Sequence, residues 1–268
     1  MTRLPLLSVL LASTLVLTGC AVATVEEDTD AWEEVSADGP AIEDDDDFGT
    51  VEVYDVLADG SLSPDAEGTA LEVWELFQLV ATPDFTAEVL LQYRVGDAPE
   101  SDTLAYVDQD ETHPDYWILA ANLATADDEE LLIGTLIHEY AHILTLSTDE
   151  FDEAGTCDPA FELSEGCPSP TSVLAAFRDR FWSGYADSPA ADNDDEDVAY
   201  EFYLEHEDDF VSDYAATNIV EDLAESFMTY VMEESFEGSG VVAAKLAFFD
   251  EFPELAAIRE RIRADVGL

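Results

Sequence analysis

The residues best suited to chemistry form the run His138-Glu139-Tyr140-Ala141-His142. Two histidines four positions apart lie on one face of a helix, so both imidazoles can ligate one metal ion. The glutamate beside the first histidine can take a proton from a water molecule at that metal. This spacing is typical of zinc hydrolases. The alternative interpretation is two histidines that simply pair with some of the chain's many carboxylates.

A zinc site of this kind needs a third protein ligand. The metzincin pattern would supply a histidine shortly afterwards, but Thr145 and Thr148 stand where its glycine and last histidine belong, which excludes that class. His113 and His206 remain as histidine candidates, and a glutamate on a later helix is the other route. Because acids occur throughout the chain, composition alone leaves this choice open.

A second motif lies in residues 210–227. It resembles the Y-x-x-T-N-x-x-E-x-x-A-E-x-F pattern of gluzincin zinc peptidases, the group that includes the catalytic domain of anthrax lethal factor, at Tyr214, Thr217, Asn218, Glu221, Ala224, Glu225 and Phe227. The resemblance implies that Glu221 is the third zinc ligand and that Tyr214 donates a hydrogen bond to the oxyanion. It covers about 100 residues and does not include the cysteine loop, so no substrate preference carries over from it.

Glu225 follows Glu221 by four residues, so both carboxylates lie on one helix face. One of them can bind the metal while the other accepts the N–H of a ligating histidine, for which we expect His138. The alternative for Glu225 is a hydrated helix acid. The alternative for Tyr214 is a packing aromatic.

These residues need a scaffold, and hydrophobic periodicity predicts one. Residues 127–146 form the clearest helix, with a run of acids at its start that suits the positive end of the helix dipole. Strands are predicted at 50–57, 85–95, 103–108 and 116–123, and further helices at 67–81, 172–182, 196–210, 219–234 and 241–266. The order predicts an α+β fold: a zincin-like domain whose small mixed sheet packs on the active-site helix, followed by a mainly helical C-terminal half.

The stretch 116–122 precedes the helix that carries the histidines. In gluzincins a strand at this place borders the cleft, where a peptide can add to it as a further strand. The alternative is an interior strand of the sheet.

The N-terminal sequence predicts a targeting segment. Residues 1–19 contain Arg3 and then an apolar run too short to span a membrane as a mature helix. They end before Cys20 in a sequence that resembles a bacterial lipobox, which implies lipidation of Cys20 and a protein held at the outer face of the cell membrane. An ordinary signal peptide is the alternative. Residues 20–49 are acidic and predict a flexible stalk rather than a calcium strip, so the domain is expected at 50–268.

Two cysteines are left, Cys157 and Cys167. An exported protein meets an oxidising compartment, so one disulfide closing a short loop is expected. A pair of zinc thiolates is the alternative, although the spacing is not C-x-x-C.

The charge balance is extreme, with 64 acids against 8 bases and a net charge of −56 at pH 7. Such a charge repels nucleic acid and anionic lipid head groups, and its lysine-poor acidity suits a salty medium. We therefore expect a zinc-dependent peptidase acting on peptide or protein substrates at the cell surface. The alternative functions are a non-catalytic, zinc-stabilised binding lipoprotein and a latent enzyme with a narrow substrate range.

Overall fold

The computed structural model describes residues 39–110, 112–152, 155–236 and 238–268. They form a mixed α+β domain. Its strands are β1 (Ala41–Asp45), β2 (Gly49–Val56), β3 (Leu62–Ser63), β4 (Leu90–Gly96), β5 (Ala105–Gln109) and β6 (Trp117–Asn122). The sheet runs in the order β1-β2-β4-β6-β5, with β3 paired to β2. It is mixed because β4 and β6 are parallel while the other pairs are antiparallel.

The helices are α1 (Gly68–Ala81), α2 (Pro83–Val89), α3 (Glu129–Thr145), α4 (Val173–Phe177), α5 (Glu196–His206), α6 (Ile219–Met232), α7 (Val241–Phe248) and α8 (Pro253–Val266). Four of them, α1, α3, α5 and α6, match a predicted helix within about four residues at each end. The helix expected at 172–182 is α4 followed by a π-helical turn that ends at Trp182. In the described residues, no helix combines the length and the apolar composition needed to cross a membrane.

Two predicted elements were wrong in type or extent. The strand expected at 85–95 begins only at Leu90, because Thr82 caps a short helix that Pro83 opens. The helix expected at 241–266 is two helices. Pro253 lacks the N–H that a continuous helix needs, so it starts α8 instead.

The predicted stalk was wrong at its end, because residues 41–45 form strand β1 and residues 46–48 form the turn that leads into β2. Ile42 pairs with Glu52, and the Asp45 carboxylate accepts the backbone N–H groups of Asp47 and Phe48 in the turn. The strand is an outer one with exposed side chains, so its carboxylates stay hydrated while Phe48 is buried. Like charges therefore did not prevent strand formation here. Residues 1–38, with the predicted signal peptide and Cys20, lie outside the described residues.

Helix α3 lies in the core and carries the histidine motif. Asp128 caps it by accepting the N–H of Leu131, and most of its residues from Leu132 onward are buried. It packs against α6, α1 and the edge strand β5. The motif is therefore held on a rigid element enclosed on several sides.

Strand β6 is an interior strand, because it pairs with β4 on one side and β5 on the other. Of the two alternatives for 116–122, the interior one is correct, and the edge of the sheet beside α3 is β5.

The cysteine loop is closed as expected: Cys157 and Cys167 form a disulfide bond, with their Cα atoms 5.6 Å apart.

Candidate metal centre

Helices α3 and α6 bring three candidate ligands together. His138 Nε2 lies 2.9 Å from His142 Nε2, and Glu221 Oε2 lies 3.1 Å and 3.4 Å from those two nitrogens. The histidines come from successive turns of α3, and the glutamate comes from the first turn of α6. All three side chains are largely buried, so the triangle of atoms is preformed inside the domain.

This triangle fits a small divalent cation. Tetrahedral zinc with bonds of about 2.0–2.2 Å places neighbouring ligand atoms roughly 3.3–3.6 Å apart, a range that includes the 3.4 Å distance and is slightly wider than the 2.9 Å and 3.1 Å distances. Glu221 Oε2 is buried and makes no hydrogen bond of good geometry in the described structure, although both imidazole nitrogens lie close to it. Such a buried carboxylate oxygen is costly unless something positive binds it, and an ion at the centre of the triangle would. Two imidazoles and one carboxylate are a donor set that suits zinc.

His138 is oriented from its far side. Its Nδ1 lies 2.9 Å from Glu225 Oε1, and Ser212 donates its hydroxyl to Glu225 Oε2 at 2.6 Å. A proton on Nδ1 leaves the lone pair of Nε2 directed toward His142 and Glu221. Burial disfavours the protonated ring, but the carboxylates of Glu221 and Glu225 outweigh it and raise the pKa of His138 to about 10 without a metal. A bound cation would compete with that second proton.

The same contacts lower the pKa of Glu221, whereas they raise that of His138. Burial alone would raise the pKa of its carboxyl group, but the nearby imidazoles of His142 and His138 hold that pKa well below its ordinary value. The carboxylate is therefore ionised at neutral pH. An ionised glutamate is the form that ligates a metal.

Glu139 lies beside the cluster and is 6% exposed. Burial raises the pKa of its carboxyl group, and the two histidines and the backbone N–H of Val107 counteract this only in part. A carboxylate with a raised pKa near a metal is suited to accept and return a proton. Val107 belongs to β5, so the edge strand helps to position this group.

Tyr214 stands on the other side of His138, with ring centroids 5.9 Å apart. The residue is 53% exposed at the mouth of a cavity. Burial of the hydroxyl end, and then the carboxylates of Glu221 and Glu139, raise the pKa of Tyr214 above its ordinary value. The phenol therefore stays protonated and can donate a hydrogen bond.

The other two histidines lie elsewhere. His113 is exposed and contacts Asp110, while His206 packs on Tyr185 and Phe202. His206 also lies near Asp187 and Glu205, a second group with ligand-like spacing. Two of its three members are exposed acids, and such groups are common without a metal. The structure therefore brings neither histidine to the cluster.

Sequence reasoning did not assign the roles of three contributors to the site, although Asn218 stands in the motif. Ser212 holds Glu225, and nothing in the spacing of a lone serine indicates that role. Asn218 accepts the N–H groups of Val220 and Glu221, and so fixes where α6 begins. An asparagine three residues before an acid, at the start of an apolar run, is a cap signal that could have identified it. Val107 could not have been found, because its contact with Glu139 depends on the sheet edge.

A cavity of about 780 Å³ opens beside the cluster. It is lined by His138, Glu139, Tyr214 and Glu225, by residues 102–105 before and at the start of β5, and by the facing halves of α3 and α6. A substrate in this cavity would meet the catalytic candidates on one wall and the edge strand on another.

Comparison of the chain with family models, with curated proteins and with solved structures gave no match.

Proposed function

We propose that this protein is a zinc metallopeptidase of the gluzincin kind, built on a zincin-like domain. The observation that carries the proposal is the meeting of His138, His142 and Glu221 at 2.9–3.4 Å, with Glu139 buried alongside. The resemblance of residues 210–227 to gluzincin peptidases supports the same assignment. Zinc bound there would lower the pKa of a water molecule and polarise a carbonyl group.

In this mechanism the chain's own residues move the proton and hold the charge. Glu139 accepts the proton of the attacking water, which its buried position and raised pKa favour. The same carboxyl group then passes that proton to the leaving amine. Tyr214 donates its phenolic hydrogen bond to the oxygen that becomes negative in the tetrahedral transition state. Glu225 keeps His138 in the correct tautomer throughout.

Strand β5 is the surface on which an extended peptide would dock. The backbone oxygen of Leu104 accepts the N–H of Asn122, and the N–H of Asp110 donates to the backbone oxygen of Tyr116. Leu104 and Asp110 therefore direct their backbone groups toward β6. The alternate residues Ala105, Val107 and Gln109 consequently direct theirs to the outer edge of the sheet, where the N–H of Val107 donates to Glu139. A peptide pairing there would pass the Glu139 carboxylate, which already contacts Val107.

The proposed location is the outer face of a bacterial cell membrane, through a lipid on Cys20. Its support is the N-terminal sequence alone. Labelling with a fatty acid analogue tests this: wild type should take up label and move with the membrane fraction, whereas Cys20→Ala should do neither. Labelling of the Cys20→Ala variant would disprove the anchor.

The function is tested by metal content and peptide cleavage measured together. We expect about one zinc per chain, cleavage of a peptide library that chelator abolishes and added zinc restores, and loss of both properties in Glu221→Ala. A protein that binds zinc through these residues but cleaves nothing, while its Glu139→Gln variant captures no substrate, would instead be a zinc-stabilised binding module. A protein that takes up no zinc would overturn the assignment altogether.

A further inference from the structure

The cavity beside the metal cluster continues away from it along the α3–α6 pair. The two helices run antiparallel: His142 and His138 face Glu221, and one turn or more earlier on α3, Gly134 faces Met228. Beyond that pair, Leu131 and Glu130 lie with Met232 and Glu233 along the same wall. From residue 138 to residue 130 the helix rises about 12 Å, so a long substrate side chain that extends along the passage from a residue at the cluster would approach its far end.

Gly134 lines this passage, and its lack of a side chain leaves room for the side chain of Met228. It is a buried glycine in the middle of α3, where glycine is unfavourable for a helix. A methyl group in its place would lie 3.3 Å from the Met228 sulfur, which is tighter than ordinary packing. The walls beyond it are apolar and adaptable, since Met228 and Met232 are only partly buried and methionine fits varied shapes.

The far end of the cavity changes from apolar to acidic. Glu130 and Glu233 are exposed, line the cavity, and have no ionic partner among the described residues. Glu196 and Asp102 add two further carboxylates to the lining, and His138 at the metal cluster is the only basic residue among the described residues that line it. The passage thus has walls lined by methionines near its middle and carboxylates without an ionic partner at its far end.

We propose that this passage is a specificity pocket for a long basic side chain, arginine or lysine, on a substrate residue next to the scissile bond. The proposal rests on the proposed peptidase function and names its substrate class. The methylene stem of the side chain packs on the two methionines, and its charged head reaches Glu130 and Glu233. A leucine would leave the acids unpaired, and an acidic residue would be repelled.

The test compares arginine with citrulline, its neutral isostere, so that shape is held constant. The full-length, zinc-loaded Glu139→Gln protein is titrated with fluorescent alanine-based hexapeptides that carry one or the other residue at a central position, and affinity is read from anisotropy. Binding does not depend on turnover, so failure of the peptidase chemistry and failure of this pocket are separate outcomes. We expect arginine to bind more tightly than citrulline, and leucine no better than citrulline.

Overall charge would also attract arginine, so the decisive comparison uses variants of equal net charge. Glu130→Gln with Glu233→Gln should reduce the arginine preference roughly fivefold at low salt, as expected for two exposed ion pairs. Glu129→Gln with Glu234→Gln removes the same charge from neighbours that do not line the cavity, and should leave the preference unchanged. Gly134→Val should weaken arginine and leucine peptides but spare an all-alanine peptide. Equal binding of arginine and citrulline, or the same loss in both double variants, would overturn the pocket.

Discussion

The two histidines of the cluster are held differently. His138 has Glu225 behind its Nδ1, whereas the Nδ1 of His142 is buried without a hydrogen-bond partner in the described structure. Orientation of His138 is therefore set by a charged hydrogen bond, and orientation of His142 by packing around its ring. Substitution of Glu225 should therefore change zinc affinity only through the orientation of His138.

Glu225→Gln should lower zinc affinity by about 10- to 100-fold while the protein stays folded, because an amide holds the imidazole tautomer less firmly than a carboxylate. Competition with a chromogenic chelator measures this. Glu234→Gln, an exposed change of the same charge near the end of α6, is the control. Equal zinc affinities for the two variants would show that Glu225 does not support metal binding.

Glu139→Gln should keep zinc and the folded state but reduce kcat by about 10²- to 10⁴-fold, since the amide cannot accept the proton of the attacking water. Turnover of a cleaved peptide, with metal content measured on the same sample, separates the two effects. Glu129→Gln on the same helix should behave as wild type. Near-normal turnover by Glu139→Gln would contradict its assignment as the general base.

At the scale of elements, the site depends on how α6 is anchored. Asp222, the residue after Glu221, is fully buried and forms an ion pair of 2.7 Å with Lys245 of α7, which is also fully buried. Trp182 donates to the same carboxylate oxygen, and Lys245 donates to the backbone oxygen of Asp209. Lys245 also lies 4.0 Å above the ring of Phe210. This lysine therefore joins α6 to the segment that precedes Ser212 and Tyr214.

Lys245→Met should destabilise the protein by about 3–5 kcal/mol, because it leaves the Asp222 carboxylate buried without its cation. Urea denaturation gives the free energy of unfolding. The double variant Asp222→Asn with Lys245→Met should recover a large part of the loss, since no buried charge then remains. A single variant within about 1 kcal/mol of wild type would show that the pair contributes little.

The sequence predicted the parts of this site that depend on local spacing. The helix bearing His138 and His142 and the helix bearing Glu221 and Glu225 each follow from periodicity, whereas Glu221 was chosen as the candidate third ligand by the resemblance of residues 210–227 to gluzincin peptidases. It could not show that Ser212 or Val107 contacts the site, because those contacts depend on how separate elements pack. Short-range chemistry explains the errors too: one proline divided the last helix, and a capped turn at Thr82 replaced part of a strand.

For the whole molecule, the described cations are concentrated where backbone carbonyls need donors. Three arginines of α8 illustrate this. Arg261 donates to Leu79 and Val80 at the end of α1, while Arg259 and Arg263 donate to the last residues of α6. Cations at helix C-termini are favourable for the helix dipole as well. Few positive charges are then left to offset the acids on the surface.

That imbalance should make stability depend on salt. With a net charge of −56, repulsion among surface carboxylates opposes the compact state, and it weakens as the Debye length falls from about 30 Å at 0.01 M to about 8 Å at 0.15 M salt. We therefore expect Tm to rise steeply over that range in KCl. Low concentrations of guanidinium chloride discriminate between causes: ionic screening predicts a rise there as well, whereas a salting-out effect on apolar burial predicts a fall. A Tm that does not change with KCl would mean that the carboxylates are too far apart to repel one another appreciably, and the acidity would then need an explanation other than a salty medium.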